Sequence, residues 1–548
     1  MRKQIEDFIK NSIISVFSID PGQIEVEIPL REEHGDFSSP APLKLASLLS
    51  QSPLELANKL REFISKSEFS KHFQEIKVAQ PGFINFYLKK SFYFEVLKQI
   101  IEHDYYARLG IGNGKRVQVE FVSANPTGPL HIAHGRGAIV GDVTARILEY
   151  LGYEVQKEYY VNDTGGQIEK FAKSIEVRYD ELTGKKVEFP SDGYHGTYII
   201  DLARNIMKSK SLDNTIDQER IDFLIDYGVG EMLKDHREVL SLLNVNHDNY
   251  FKEKYLVDSG LVDEVLTMLQ KNGYLEEKDG AIWFKSTDLG DDKDRVLVKS
   301  DKSLTYFIKD IAYHYEKFVK REFDTVIDVW GADHHSHVTR IKNSLKSLNI
   351  DPDRFEVILI QLVRLISGGK EILMSKRSGE FITLRELIEE VGKDVARYIY
   401  LTRSSNSPLD FDLDLALKES MANPVFYIQY AYVRAGSILK QATIKGIRIR
   451  REDEVNYSLL SSKTELRLLR LLSLLQDEIV LTGMKRTPHR LATASRKLAE
   501  AFHEFYHLHK VIGESEELEQ SRLHLVIATR TALDLLLSLM GITKVEEM

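Results

Sequence analysis

Two histidines three residues apart lie in a glycine-rich stretch, GPLHIAHGRGA, at residues 128–138. The stretch follows the alternating, β-branched sequence VQVEFVS and precedes a segment of helical periodicity. At such a strand-to-helix turn, imidazoles and the unpaired N–H groups of the helix start can donate to phosphate oxygens. Two alternatives stay open, a packing or capping role and a zinc site, although no third zinc ligand stands at a suitable spacing. We expect His131 and His134 to face a phosphate.

Two further polar stretches follow later in the chain. GKEILMSKRSGEFITL, residues 369–384, carries lysine, arginine and serine between two glycine-containing turns. A lysine on such a loop suits charge that develops on a departing phosphate, and the alternative is a solvated basic loop. In WGADHHSHV, residues 330–338, Asp333 follows the glycine at a strand end and is placed to accept ribose hydroxyls. Its neighbouring histidines are too close in sequence to form a good metal site.

The segments around these stretches predict a parallel sheet. VQVEFVS, a helix from about His134 to Leu151, and YEVQKEYYV form a βαβ unit. TVIDVWG and FEVILIQLV predict two more strands of the same sheet, and YFIKDIAYHYEKFV predicts the helix before them. Residues from about 165 to 300 interrupt the sheet, mostly with helix, and are expected to carry segments that face the substrate.

The N-terminal residues predict a separate α+β module. Residues 1–17 have a helical pattern, and QIEVEIPL and GFINFYLKK predict strands. SPLELANKLREFI predicts a helix with Ser52 as its N-cap and Pro53 at its first position. LGIGNGKR, residues 109–116, is turn-rich and suits a linker.

From about residue 410 the apolar residues keep helical spacing to the end of the chain, which predicts an all-α bundle. The predicted fold class is therefore α/β, with a Rossmann-type parallel-sheet catalytic domain between an N-terminal α+β module and a C-terminal helical bundle. The predicted domain bounds are residues 1–110, 111–409 and 410–548.

Composition sets the broad class of protein. With 548 residues, 43% hydrophobic and 29% charged, the chain is too long for one core and resembles an ordinary soluble protein of several domains. It has no cysteine, which excludes disulfides and thiolate–zinc sites and fits a cytoplasmic location. The N-terminus contains acids, unlike a secretory signal, and the apolar stretch TALDLLLSLMGI is short and holds Asp534, so no membrane partner is expected. The net charge of −9 does not exclude a local basic face for RNA.

Together, the three stretches resemble the signatures of the class I aminoacyl-tRNA synthetases. HIAH differs from the His-Ile-Gly-His motif of that class only at Ala133, and LMSKR differs from its Lys-Met-Ser-Lys motif only at Leu373. Within the class, FVSANPTGPLHIAHGRGAIVGDVTARILEYLGYEV, YYVNDTGGQI, VWGADHHSHVTRI and NPVFYIQYAYVRA are similar to the arginyl-tRNA synthetase family. The resemblance covers nearly the whole chain.

This resemblance implies a ligase that activates arginine with ATP, accompanied by Mg²⁺, and transfers it to the 3′ end of tRNA(Arg). It implies catalytic roles for His131, His134 and Lys376. It implies an ATP site made of Pro126, Thr127, Gly128, Pro129, Leu130, Ile132, Ala133, Gly135, Gly331, Asp333, His337, Met374, Ser375 and Arg377. It implies an arginine site made of Glu120, Ser123, Asn125, Tyr306 and Asp310. The N-terminal module would contact the tRNA elbow and the bundle its anticodon. We expect a monomer without a metal ion held by the protein itself.

The residue types agree with an arginine substrate. A planar guanidinium requires carboxylates, preferably in a bidentate arrangement, and an aromatic wall. Glu120 precedes the histidine loop, and Tyr306 and Asp310 are four residues apart and share one helix face. Two alternatives remain: a catalytically decayed relative that only binds RNA, favoured by Ala133 and Leu373, and a class I synthetase for another amino acid.

Overall fold

The computed structural model describes residues 1–29, 31–102, 105–209, 212, 217–372 and 382–548. Residues 373–381 of the predicted basic loop, among them Leu373, Met374, Ser375, Lys376 and Arg377, therefore lie outside the described residues.

The N-terminal module is an antiparallel sheet packed against helices. Its helices are α1 (Arg2–Phe17), α2 (Ala41–Leu49), α3 (Pro53–Ser65) and α4 (Lys90–Glu102), and its strands are β1 (Phe37–Ser39), β2 (Phe73–Ala79) and β3 (Phe83–Leu88), in the order β1-β3-β2. The helix with Ser52 as N-cap is confirmed as α3. The strand predicted for QIEVEIPL is wrong: its described residues form only a bridge between Glu27 and Ser38. Pro29 has no N–H with which to extend that pairing, and β1 is short.

In the described part of the chain, the middle region contains eleven strands and eleven α-helices. The strands are β4 (Arg116–Glu120), β5 (Glu154–Val161), β6 (Asn249–Lys252), β7 (Leu275–Lys278), β8 (Ala281–Phe284), β9 (Arg295–Val298), β10 (Thr325–Gly331), β11 (Phe355–Ile360), β12 (Val363–Ser367), β13 (Lys370–Glu371) and β14 (Leu409–Asp412). The helices are α5 (Ile132–Tyr150), α6 (Gly166–Leu182), α7 (Thr197–Ser209), α8 (Asp217–Leu242), α9 (Lys254–Asp258), α10 (Leu261–Lys271), α11 (Tyr306–Tyr315), α12 (His335–Ser347), α13 (Leu384–Val391), α14 (Lys393–Tyr400) and α15 (Leu413–Ala416).

A five-stranded parallel sheet is the centre of this region, with the strand order β11-β10-β4-β5-β6. The predicted βαβ unit is confirmed as β4, α5 and β5. The interrupting segment is not only helical, because β6 forms an edge of the main sheet and β7, β8 and β9 form a separate antiparallel sheet.

The prediction that FEVILIQLV forms one strand of the main sheet is wrong. β11 ends at Ile360, and β12 pairs with β13 and β14 in another sheet. The chain leaves the ladder at Gln361, whose N–H donates to the Ser405 carbonyl at 2.9 Å and whose carbonyl accepts from Arg136 at 2.9 Å. These bonds replace the ones that a continuing strand would make.

The C-terminal bundle consists of α16 (Pro424–Ile444), α17 (Lys463–Met484), α18 (His489–Leu508) and α19 (Glu516–Met540). In the described part of the chain, α19 is the one helix long and apolar enough to cross a membrane by length and composition, and 67% of its most apolar stretch is buried inside the protein. It packs against α16, α17 and α18, as a core helix of a bundle does. The predicted three-part α/β architecture is confirmed.

The N-terminal module and the bundle are in direct contact. α4 packs against α17 and α19, and the Tyr106 hydroxyl donates to the Leu472 carbonyl at 2.8 Å. Nε of Arg470 on α17 lies 2.6 Å from a carboxylate oxygen of Asp36, and both side chains are largely buried. The two flanking parts of the chain therefore meet on one side of the catalytic domain.

Candidate active site

The histidine pair lies at the start of α5. This helix begins at Ile132, two residues earlier than predicted. His131 is the N-cap, and its backbone N–H donates to Nδ1 of His134 at 3.1 Å. The two ring centroids are 3.7 Å apart. Burial, and then the neighbouring His131, lower the pKa of His134 well below its ordinary value, so the ring is neutral near pH 7. Because Nδ1 accepts, Nε2 carries the proton and can donate to an anion.

The loop that leads to the pair is packed into the protein. Of its predicted ATP-site residues, Pro126, Thr127, Leu130, Ile132 and Gly135 are buried, and Gly128, Pro129 and Ala133 are partly exposed. Leu384 and Tyr400 fill the space that a side chain at Gly135 would occupy, with atoms 2.7 Å from a Cβ placed there. The glycine thus lets α5 approach α13 and α14 closely.

The chain that follows the basic stretch is tied to this loop. Leu384 N–H donates to the Leu130 carbonyl at 2.8 Å, and Thr383 forms a single antiparallel bridge with His131. The segment that begins at residue 382 is therefore close to the histidine pair.

A strained turn carries the chain from β4 to the predicted arginine contacts. Val122 and Ser123 have φ values of 72° and 39°, which β-branched and polar residues rarely adopt. Such residues cost about 1–3 kcal/mol each and persist where the surroundings impose them. Here, Oγ of Ser123 donates to Glu120 at 2.9 Å and accepts from the N–H of Tyr160 at 3.0 Å.

Glu120 is buried beneath this turn rather than exposed to a ligand. Its Oε2 lies 2.6 Å from Nζ of Lys317, which also lies 3.0 Å from Oδ1 of Asp328. Burial raises the pKa of Glu120, and the Lys317 ammonium opposes that shift. Since both carboxylate oxygens have protein partners, Glu120 is part of the floor of the site in this structure.

The residues after α11 complete a buried cluster of charges. The helix continues as a π-helical turn, Glu316–Lys320, which places Lys317 below the sheet. His314 contacts the Asp310 carbonyl through Nδ1 at 2.8 Å and Asp328 through Nε2 at 3.1 Å. His314 thus connects the Asp310 backbone on α11 to the Asp328 side chain on β10.

This cluster contains four carboxyl groups, two basic side chains and one histidine. Nη1 of Arg321 lies 2.5 Å from Glu158, which also accepts from the Tyr313 hydroxyl at 2.5 Å. Burial raises the pKa of Asp328, but Lys317 and His314 more than offset this and lower it below the ordinary value. The members are Glu120, Glu158, Glu316 and Asp328 with Lys317, Arg321 and His314.

Tyr306 and Asp310 are more accessible than this cluster. The Tyr306 side chain is 60% exposed, and Oδ2 of Asp310 lies 2.9 Å from Nε2 of His337. The structure therefore joins His337, predicted on the nucleotide side, to a predicted arginine contact. Asn125 is held from both sides, since it donates to Gln167 at 2.7 Å and accepts from Asn162 at 3.3 Å.

Gly331 and Asp333 lie where β10 ends, beside β4. The Asp333 side chain is 82% exposed, and its Oδ2 lies 3.5 Å from Nε2 of His334. A Cβ at Gly331 would lie 2.5 Å from Oδ1 of Asp333, so the absence of a side chain gives the carboxylate its position. Contact of Asp333 with ribose stays a prediction.

The sequence analysis missed several groups that hold the site together, namely Lys317, His314, Asn162, Gln167, Tyr159, Tyr198 and His236. A lysine within a largely apolar helical pattern was a signal for Lys317. Nothing in the spacing of the sequence connects the others to the loops that they contact.

A parallel sheet with a histidine pair at its first strand-to-helix turn is the arrangement of a class I aminoacyl-tRNA synthetase. Residues 96–407 match the family described as tRNA synthetases class I (R), catalytic domain. Residues 3–88 match the arginyl tRNA synthetase N-terminal domain, and residues 428–548 match the DALR anticodon binding domain.

Relatives of similar length agree with these matches. The arginine–tRNA ligase of Carboxydothermus hydrogenoformans is 47% identical over 96% of this chain and 94% of its own. That of Syntrophotalea carbinolica is 44% identical over 96% of this chain and 95% of its own. The structure of Thermus thermophilus arginyl-tRNA synthetase, 21% identical, covers 100% of both chains with a TM-score of 0.78 and has the same fold. The chain belongs to the arginyl-tRNA synthetase family, and it is an enzyme of the aminoacyl-tRNA ligase type.

Proposed function

We propose that this enzyme joins arginine to ATP to form arginyl-adenylate and then transfers the arginyl group to the 3′ end of tRNA(Arg). The observation that carries the choice of arginine is the negative charge of the pocket. Asp310 presents a carboxylate four residues along α11 from the exposed ring of Tyr306, near a buried cluster that holds four carboxyl groups and two basic side chains. A guanidinium suits this arrangement because it pairs with carboxylates in a fork and stacks on aromatic faces.

In the first step, the arginine carboxylate attacks the α-phosphorus of ATP, the bond to the bridging oxygen breaks, and pyrophosphate leaves. His131 and His134 would donate to phosphate oxygens, and a neutral N–H donor such as His134 does so without repelling the cationic substrate. We assign Lys376, with Met374, Ser375 and Arg377, to the departing pyrophosphate. Gly331 and Asp333 would line the adenosine, and Ser123 and Asn125 the arginine backbone. In the second step, a tRNA 3′-terminal ribose hydroxyl attacks the arginyl carbonyl and AMP leaves.

Mg²⁺ would enter with ATP. Among the described residues, no group of three or more histidine, aspartate or glutamate side chains is arranged to hold a metal ion. The phosphate oxygens of ATP are therefore the ligands that such an ion would use, and it supplies neutralisation of their charge.

Two hollows outside the catalytic domain suit an RNA partner. A cavity of about 760 Å³ lies between the N-terminal module and the bundle, lined by Phe83, Asn85, Arg31 and Lys497, among others. We propose that the tRNA elbow is bound on this side of the molecule. Aromatic and basic groups on one surface are typical of proteins that hold unpaired bases.

The second hollow, of about 640 Å³, lies on the bundle between α16 and α18. The Arg434 guanidinium lies 5.1 Å from the Tyr430 ring and 4.9 Å from the Tyr506 ring, and His503 stacks on Tyr430. We propose that bases of the anticodon are bound here.

We also propose that the enzyme acts as a monomer in the cytoplasm. Light scattering that gives the mass of two chains would contradict the monomer.

Aminoacylation of total tRNA with each amino acid in turn tests the main proposal. Charging by arginine alone supports it, and charging by another amino acid contradicts the pocket assignment. RNA binding without any charging would favour the decayed relative instead.

The tRNA assignment has its own test, removal of residues 1–89, which keeps α4 on the bundle. We expect this truncated enzyme to retain a folded catalytic domain and to charge tRNA poorly at limiting tRNA concentration. Arg31→Ala, at a lining residue of the first cavity, is the point variant that should reproduce part of the loss, with Lys66→Ala on the exposed end of α3 as its control. Charging by the truncated enzyme at the full-length rate would contradict the elbow contact.

A further inference from the structure

Three side chains from outside the histidine loop hold its carbonyl groups. The Tyr198 hydroxyl, on α7, donates to the Thr127 carbonyl at 2.7 Å. Nε2 of His236, on α8, contacts the Gly128 carbonyl at 2.8 Å, and it must donate because a carbonyl only accepts. The Tyr159 hydroxyl on β5 lies 2.8 Å from the Ala124 carbonyl and 2.9 Å from Nδ1 of His236, so its single hydrogen is shared between these two acceptors when the His236 ring is neutral.

These contacts give the loop its electrostatic polarity. Each carbonyl oxygen carries partial negative charge, and a carbonyl that faced the triphosphate would repel it. The Thr127 and Gly128 oxygens are instead bonded to donors of the insertion, three residues before the histidine pair begins at His131. The fit is close at Gly128, where an added Cβ would lie 3.0 Å from the Tyr198 hydroxyl.

The two donors are firmly placed within the protein. His236 is fully buried, and burial lowers its pKa, so the ring is neutral near pH 7. Tyr198 connects α7 to the loop through its hydrogen bond to Thr127. The helices that carry both residues pack against α6, and α8 also contacts the central sheet through His236 and Tyr159, so both donors are held by the insertion and its neighbours.

We propose that Tyr198 and His236 are positioning residues for adenylate formation: the helical insertion, through them, sets the orientation of the loop that aims His131 and His134 at the phosphates of ATP. This rests on the proposed function of the histidine pair. Both residues bond to carbonyl groups of the loop, so we expect their loss to act through the loop.

Tyr198→Phe is the sharpest test, because it removes one hydroxyl and leaves the ring. Tyr179→Phe is the matched control: its hydroxyl, on α6, accepts from the Leu212 N–H at 3.0 Å and holds the insertion together without touching the loop. The assay is arginine-dependent exchange of pyrophosphate into ATP, in the presence of tRNA. We expect Tyr198→Phe to lower kcat about 5- to 10-fold, as loss of one hydrogen bond allows, with KM for arginine and ATP within about twofold. Tyr179→Phe should stay within about twofold of wild type.

His236 gives a second, independent arm. His236→Gln keeps an N–H donor at nearly the place of Nε2 and should retain most of the activity, whereas His236→Leu should lose at least as much kcat as Tyr198→Phe. If His236→Leu does not fold, the comparison of His236→Gln with Tyr198→Phe carries this arm.

The outcomes separate the two proposals. Equal kcat for Tyr198→Phe and Tyr179→Phe, or a loss confined to thermal stability, would overturn the positioning role. Wild-type enzyme that fails to exchange pyrophosphate with arginine would instead overturn the proposed function, before any variant is compared.

Discussion

Replacing Asp310 with asparagine removes a charge from the proposed arginine pocket and keeps its shape. Oδ2 of Asp310 lies 2.9 Å from Nε2 of His337, and an asparagine Oδ1 can accept the same hydrogen bond. The Asp310 side chain is 34% exposed, so its carboxylate is accessible to a substrate yet only partly screened by water. The variant therefore isolates the electrostatic contribution of this group.

The expected size follows from that position. A guanidinium about 4 Å from a carboxylate gains about 4 kcal/mol at an effective dielectric constant of about 20. Desolvation of both ions and the solvent exposure of Asp310 reduce the net gain to about 1.5–3 kcal/mol, the usual range for a hydrogen bond to a charged group. At about 1.4 kcal/mol per factor of ten, KM for arginine should rise about 10- to 100-fold, while KM for ATP stays within about twofold.

Steady-state aminoacylation measures both constants, and citrulline provides the internal comparison. In citrulline a neutral urea replaces the guanidinium at nearly the same shape, so its inhibition constant should differ by less than about threefold between wild type and Asp310→Asn. Asp353→Asn, at a side chain 89% exposed before β11, is the matched control and should leave all constants unchanged. An unchanged KM for arginine, or an equal loss for arginine and citrulline, would refute the placement of Asp310 opposite the guanidinium.

Three further predictions concern the histidine pair, the basic loop and acid stability. His134→Ala should lower kcat by about 100-fold or more through loss of a phosphate donor, whereas Ala133→Gly should change KM for ATP by less than about tenfold. Steady-state ATP kinetics check both, and an inert wild type that gains activity with Ala133→Gly would contradict them. Lys376→Ala should slow adenylate formation with little change in the Kd of ATP by equilibrium dialysis; an equal rise in Kd would instead indicate ground-state binding. Burial lowers the pKa of His236, and lowers that of His247 to about 4, whereas histidine in an unfolded chain titrates near 6.5. The folded state then binds fewer protons, so the free energy of unfolding should be fully present above about pH 6.5 and fall as the pH drops towards about 4. Urea titrations measure this, and a flat profile in that range would be incompatible with buried neutral histidines.

Local features of this protein were predictable from the sequence because they depend on neighbouring residues. Alternating and helical apolar periodicity located β4, α5 and β5, and Pro53 after Ser52 located the start of α3. The two motifs indicated the class of enzyme, because their residue types carry the chemistry wherever the chain places them. Errors fell at ends and edges: α5 begins at Ile132 because His131 is its cap, and QIEVEIPL lacks a partner long enough to make it a strand.

Tertiary structure alone decided how the site residues are used. Lys317 reaches Glu120 across 197 residues of sequence and makes it part of the buried floor, while His337 joins Asp310 rather than standing on the nucleotide side alone. The hydrogen bond from His131 N–H to Nδ1 decides which nitrogen of His134 can donate. The hydrogen bonds from Tyr198 and His236 to the loop likewise form only once the insertion has packed. Periodicity and turn chemistry depend on residues a few positions apart. These hydrogen bonds and ion pairs depend instead on which distant groups the fold brings within about 3 Å of each other, and on how burial then changes the pKa of those groups.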